Sequence, residues 1–328
     1  MAFTVASVAR LARLAVRKVA VGSVGSVGLV GSVGLVGVMS RRTFGFVSHM
    51  THAAQTVKQL LAFRSALKEP LCDVCADLVV QPMFAGSINA WMQSDQYGVF
   101  VVWAPPRSGK TTCIHAAAAE WLQAPTLHSH ALHRHVRFIQ SYNVQAPEEL
   151  LRHHLHISSC DALAARLADL DYELVLVLDQ FDKAFTSDME QRHAIKRFVR
   201  GLAAVSKNTQ RFRVVLGLTN PGLAKTVLCW NAGKKIHLCG DANNITKFKW
   251  GEAEARQIAP PHWSDEDKQA FIQAACKSGN VETIVQLKHD RMLLLDAAFQ
   301  QVVEADAKAW ETGAALIHSR LTHPTPED

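Results

Sequence analysis

From Val99 onward the chain alternates short apolar runs with longer mixed segments. Val99–Ala104, Val136–Ser141, Leu174–Asp179, Phe212–Thr219 and Ile245–Trp250 are short and rich in β-branched residues, so each reads as a strand. Between them, Gly109 to about Gln123, Pro147 to about Leu170, and Met189–Ser206 carry apolar residues at helical spacing. Strands separated by helices predict an α/β fold, a parallel sheet with helices on both faces. Beyond Trp250 the pattern is helical only: Glu252–Ala259, Asp265–Ser278, Val281–Leu287 and Arg291–His318. The expected organisation is a leader (1–50), a helical N-terminal extension (51–98), an α/β core (99–250) and a small all-helical domain (251–328).

The leader has its own pattern. Arg10, Arg13 and Arg17 lie at helical spacing opposite Val5, Val8, Leu11 and Leu14, with no acid among them. This is the cationic amphipathic composition of an organelle-import presequence. Val19–Met39 follows, an uncharged tract with glycine at every third position from Gly22 to Gly37. Its length fits a bilayer, so membrane association through residues 19–39 is one reading. Its glycine and serine content lowers helix propensity and favours a disordered or cleaved leader. Arg41-Arg42-Thr43-Phe44 resembles the sites used by mitochondrial processing peptidases.

Charge changes meaning once it is divided along the chain. The net charge is +6, which on its face suggests an acidic partner such as nucleic acid. Residues 1–68, however, hold nine Lys or Arg and no acid, which leaves the remainder at −3. The positive balance therefore reads as an address, and a nucleic-acid partner is not favoured. The expected location is the mitochondrial matrix or inner membrane, with plastid or cytoplasm as alternatives. Seven scattered cysteines suit a reducing compartment.

The strongest chemical signal is Val101-Val102-Trp103-Ala104-Pro105-Pro106-Arg107-Ser108-Gly109-Lys110-Thr111-Thr112, a strand, a loop, and Gly-Lys-Thr opening an alanine-rich helix. Backbone N–H groups of that loop can wrap a phosphate, and the helix N-terminus adds a favourable dipole. Lys110 would reach the outer phosphates and Thr111 would hold Mg²⁺. Ala104 stands where such loops usually have their first glycine. The apolar run Leu174–Leu178 ends in Asp179, the acid that would hold Mg²⁺ through water. ATP and Mg²⁺ are the implied ligands.

With both halves present, the chain resembles the P-loop ATPases of the AAA+ class, closest to the branch shared by origin-recognition-type and signalling STAND ATPases. The resemblance covers about Val99 to Leu295. It implies a five-stranded sheet in the order 5-1-4-3-2, with nucleotide held between this core and a helical lid formed by the tail. Asn220, after the apolar run Phe212–Leu218, would be the polar residue that positions water near the γ-phosphate. Phe248–Glu254 is similar to the aromatic-then-acidic box leading into the lid.

The departures bear on mechanism. Asp179 is followed by Gln180 where the family usually has the glutamate that activates water, which predicts slow hydrolysis; Asp182 is the candidate substitute. In Gly279-Asn280-Val281-Glu282 an acid occupies the place of the family's phosphate-sensing arginine, leaving Arg291 as a later candidate. Arg197, Arg200, Arg211 and Arg213 are weak candidates for a finger reaching into a neighbour's site, should the chain form a homo-oligomer. His128, His130, His133 and His135, with His153, His154 and His156, are read as surface residues without a resident metal, and Cys72 and Cys75 as ordinary thiols. Trp250, Trp263 and Trp310 are read as packing residues. The leading expectation is an ATP-binding protein, a slow ATPase acting as a nucleotide-dependent switch or remodeller on a protein client that the sequence does not name. The alternative is an ATPase accessory to DNA metabolism, and a P-loop kinase ranks last because no arginine falls in Glu282–Asp290.

Overall fold

Five parallel strands are laid down in the order β2-β3-β4-β1-β5. They are β1 (Gly98–Trp103), β2 (His133–Ile139), β3 (Tyr172–Leu178), β4 (Phe212–Leu218) and β5 (Ile236–Leu238). Read from the other edge, this is the 5-1-4-3-2 order that the resemblance implies. The computed structural model describes residues 58–59, 61–63, 65–67, 82–124, 133–140, 147–169, 172–184, 189–230, 236–238 and 250–322. The leader, the tract 19–39, Cys72, Cys75, His128 and His130 lie outside the described residues.

The three central strands are buried along their whole length. Valine and leucine dominate them because helices cover both faces, so no position faces water. β1 pairs with β4 from Gly98↔Arg213 to Trp103↔Leu218, and β4 with β3 from Phe212↔Leu174 to Leu216↔Leu178. This register brings the ends of β1, β3 and β4 to one edge of the sheet, where loops between strands and helices collect.

The helices of the core are α1 (Pro82–Gln93), α2 (Lys110–Gln123), α3 (Glu148–Leu155), α4 (Cys160–Asp169), α5 (Met189–Thr209) and α6 (Pro221–Cys229). Helical residues at 61–63 and 65–67 add Phe63 and Leu67 to the same core. The helical region consists of α7 (Glu252–Ile258), α8 (Asp265–Ser278), α9 (Val281–His289), a 3₁₀ turn (Arg291–Leu294) and α10 (Ala297–Thr322). It has its own apolar cluster around Trp250, Trp263, Phe271, Ile284, Leu287 and Val303.

Helix α10 belongs to both clusters. Phe299 and Val303 pack in the lid, whereas Trp310 and Ile317 are buried in the core of the sheet domain. Midway between them, Asp306 accepts hydrogen bonds from Ser278 Oγ at 2.6 Å, Asn280 Nδ2 at 3.0 Å and Thr283 Oγ1 at 2.8 Å. One helix therefore fixes the α8–α9 corner relative to the sheet. At the other side of the lid, Glu254 accepts from Met83 N and Gly251 N at 3.0 and 2.9 Å, joining α7 to the first turn of α1.

Several sequence expectations shift. The fifth strand lies at Ile236–Leu238 rather than Ile245–Trp250; of the expected run, Trp250 is buried in the lid cluster and 245–249 lie outside the described residues. Parallel pairing with β1 at Val99–Val101 selects the strand, and a local apolar pattern does not report that partner. The expected helix Pro147–Leu170 is two helices, broken at His156 (φ 55°), whose left-handed backbone ends α3. The expected Arg291–His318 helix is likewise a 3₁₀ turn followed by α10. His133 and His135 sit on β2 rather than in a surface loop, both edge-on to Tyr172 with centroids 5.8 and 4.7 Å away.

Candidate functional site

The phosphate loop runs from the end of β1 to the start of α2. Gly109 caps α2 with φ 82° and ψ 13°, a left-handed conformation that glycine adopts without steric cost. Its carbonyl accepts from Cys113 N at 2.9 Å, so the helix begins directly at Lys110. Ala104, at the site of the usual first glycine, is fully buried, and its N–H donates to Leu218 O at 3.3 Å, continuing the sheet. The absence of glycine there is compatible with an ordered loop.

Lys110 is 5% exposed. Desolvation pulls its ammonium pKa below the ordinary lysine value, opposed by the negative charges of Asp179 and Asp182. Thr111 Oγ1 donates to Asp179 Oδ2 at 2.6 Å, and Gln140 Nε2 approaches the same oxygen at 3.4 Å. Asp179 is wholly buried at the end of β3. The two motifs, sixty-eight residues apart in sequence, thus meet through one hydrogen bond. A hydroxyl and a carboxylate side by side are hard oxygen donors of the kind Mg²⁺ takes.

Beside this pair a cavity of about 580 Å³ opens between the loop and α9. Loop residues Pro106, Arg107, Ser108, Gly109, Lys110 and Thr111 form one wall. Gln180, Asp182, Lys183 and Thr219 form the floor, and Val281, Glu282, Val285 and Gln286 the lid side. Of the remaining sequence-selected residues, Ala104, Pro105, Thr112, Asp179 and Asn220 are not part of its lining. Ser108 is 2% exposed, and its hydroxyl faces this region with no protein partner. A buried donor in that state fits a missing ligand oxygen.

Two candidate catalytic residues carry structural duties. Asp182 Oδ2 accepts from Thr219 N at 2.7 Å and Thr219 Oγ1 at 2.6 Å, and Oδ1 accepts from Asn220 N at 2.9 Å. Its carboxylate pins the end of β3 to the end of β4. Asn220 Oδ1 accepts from Gly222 N at 2.8 Å and Leu223 N at 3.1 Å, which makes it the N-cap of α6. Gln180 lies in the cavity with φ 54°, a left-handed backbone uncommon for a residue with a side chain.

The arginines sort differently from the sequence expectation. Arg213 is buried, donating to Ser94 O at 2.8 Å, lying over Tyr97 and facing Glu173, which also pairs with Arg134 at 3.0 Å. That buried group joins β2, β3 and β4 near their starts, away from the loop end, so Arg213 is no finger. Arg200 donates to Trp230 O at 3.3–3.4 Å. Arg291 pairs with Asp267 at 3.0 Å inside the lid and does not line the cavity. Instead, Arg107 of the phosphate loop pairs with Glu282 of the lid at 2.9 Å. Among the described residues no cluster of His, Cys, Asp and Glu is arranged to hold a metal, and no helix is long and apolar enough to cross a membrane.

Sequence reading missed Lys183, Gln140 and Gly217. Gly217 lies on β4 beside Asp179, and a Cβ there would stand 2.5 Å from Asp179 Oδ1. Its signal was present as a lone glycine inside a strand, which marks a close approach. Lys183 carried none, since its place in the cavity comes from the 3₁₀ turn Phe181–Ala184.

No family model matches the chain, and no curated protein matches it in sequence. Some solved structures are similar to it at low identity and low TM-score. The Walker-type ATPase PABY2304 of Pyrococcus abyssi is similar over 76% of this chain and 78% of its own, at 11% identity and a TM-score of 0.39. The ORC2 protein of Aeropyrum pernix, solved with ADPNP and ADP, is similar over 71% and 72%, at 12% identity and a TM-score of 0.37. The AAA domain of FIGL-1, solved with ADP, is similar over 80% and 87%, at 14% identity and a TM-score of 0.34.

Proposed function

We propose that this chain binds a magnesium nucleotide between the phosphate loop and α9, hydrolyses the triphosphate slowly, and presents the bound state to a protein client through the helical lid. The observation that carries the reading is the meeting of Thr111 with Asp179 beside the buried Lys110, at the mouth of a cavity closed on its far side by α9. Ser108 supplies a buried hydroxyl for a phosphate oxygen, and the first N–H groups of α2 supply the rest of the cradle. Thr111 and Asp179 would hold Mg²⁺, which when bound neutralises phosphate charge. Lys110 does the same from the loop side.

Slow turnover follows from what faces the cavity. Gln180 carries an amide, which does not accept a proton from water at neutral pH. The carboxylates among the lining residues are Asp182, engaged by Thr219 and Asn220, and Glu282, paired with Arg107. Neither is set up as a ready base. Such a site holds nucleotide longer than it consumes it, as a switch requires. The nine cations of residues 1–68 support import into mitochondria as the destination.

Titration with a fluorescent ATP analogue tests the reading. Lys110→Ala should weaken binding by at least about tenfold, the loss of one charge-assisted phosphate contact. An unchanged affinity in a variant that melts like the parent would overturn it.

A further inference from the structure

Arg107 is bent into the left-handed region, with φ 63°. For a residue with a Cβ this conformation costs free energy and persists only when the surroundings hold it. Arg107 is the third residue of the turn Pro105–Ser108, closed by Ser108 N donating to Pro105 O at 3.4 Å, and the lid contacts it as well. Val281 N donates to Arg107 O at 3.0 Å, and Arg107 Nε pairs with Glu282 Oε2 at 2.9 Å. The phosphate loop is therefore clipped to the first turn of α9 by one backbone bond and one ion pair.

The lid side of the clip is itself fixed. Glu282 N donates to Asn280 Oδ1 at 3.0 Å, and Asn280 Nδ2 is held by Asp306 on α10. Helix α10 is buried in the core through Trp310. Glu282 thus stays at the cavity wall unless the α8–α9 corner moves, and moving it breaks the contacts at Asp306.

We infer that Glu282, through its pair with Arg107, makes this site favour a nucleoside diphosphate over a triphosphate. The inference rests on the nucleotide reading above and concerns the same cavity. Arg107, Lys110 and Lys183 are the cations lining it, and Asp182 and Glu282 the acids. Glu282 occupies the Nε of Arg107, so a ligand phosphate that recruits the remaining N–H groups of this guanidinium shares the cation with a carboxylate on the cavity wall. A triphosphate brings one more negative charge into that arrangement than a diphosphate does, and the Glu282 carboxylate repels it. The same repulsion would release the clip, so the triphosphate loosens the lid and the diphosphate leaves it closed.

The test compares the affinities of the full chain for MgADP and MgATP in the parent, Glu282→Gln and Glu282→Arg. The parent should bind MgADP at least about tenfold more tightly, a coupling of ordinary size for two linked contacts. Glu282→Gln should bring the two affinities together, and Glu282→Arg should reverse their order. Glu282 is half-exposed and its removal leaves the core intact, so each variant should melt close to the parent. A parent that prefers MgATP, or a preference that survives Glu282→Gln, would overturn the inference. If binding is lost in Lys110→Ala while the ratio ignores position 282, the nucleotide reading stands and this one falls. If the parent binds neither nucleotide, both fall.

Discussion

The indole of Trp103, the last residue of β1, packs edge-on against Trp310 of α10, with centroids 5.6 Å apart and planes at 80°. Trp103 Nε1 also donates to Thr219 O at 3.1 Å. The residue that leads into the phosphate loop is therefore braced by the helix that carries the lid corner on Asp306. Sheet, loop and lid share one mechanical element, helix α10.

Gly313 is the weak point of that brace. A Cβ at this position would overlap the Trp103 ring atoms Cζ2 and Cη2, which are part of a packed core and cannot yield freely. Gly313→Ala should destabilise the chain by about 1–3 kcal/mol through overpacking, although alanine is the better helix former. Trp310→Ala should cost about 3–5 kcal/mol by leaving a cavity. Chemical denaturation measures both, and a stabilised Gly313→Ala would show that α10 does not press on Trp103.

Gln180→Glu tests the slow-turnover reading directly. The substitution places a carboxylate at position 180, which lines the cavity. If the missing base limits turnover, steady-state ATP hydrolysis should rise by at least about tenfold, within the range a positioned base contributes. The left-handed backbone at position 180 is equally demanding for either side chain, so the variant should fold as the parent does. A parent that already turns over many times per second, or a variant no faster than it, would sink the idea.

His115, one turn after Thr111, is buried and stacked on Phe138 with centroids 3.8 Å apart. Its Nδ1 has no hydrogen-bond partner. Burial lowers its pKa below the ordinary 6.5, with the Asp179 charge opposing the shift. The unfolded chain therefore takes up a proton at His115 before the folded chain does. Stability from this site is complete above about pH 6.5 and falls as the pH drops below it. His115→Phe should lose less melting temperature than the parent between pH 7 and pH 5, and parallel curves for the two proteins would contradict the assignment.

Both halves of the proposed phosphate site are legible in sequence because each is a local pattern. Gly109-Lys110-Thr111 must open a helix after a strand, and Asp179 must end an apolar strand; neither needs a distant partner to be recognised. The lid was legible for the same reason, as a run of helical periodicity without strands. What the pairing of elements decides was not. Ile236–Leu238 is a strand only because β1 offers an edge at Val99–Val101, and Arg213 is buried only because Glu173, Ser94 and Tyr97 surround it.

The chain by itself determined that a Gly-Lys-Thr loop opens a helix and that an acid ends a buried strand, because backbone conformation and strand burial are written in neighbouring residues. Only the tertiary structure decided how the other charges are spent. Asp182 is committed to Thr219 and Asn220, Arg291 to Asp267, and Glu282 to Arg107. Those choices arise from side chains brought together across tens or hundreds of residues, where an ion or a hydrogen bond forms with whatever the fold places within reach. Sequence spacing carries no record of that distance.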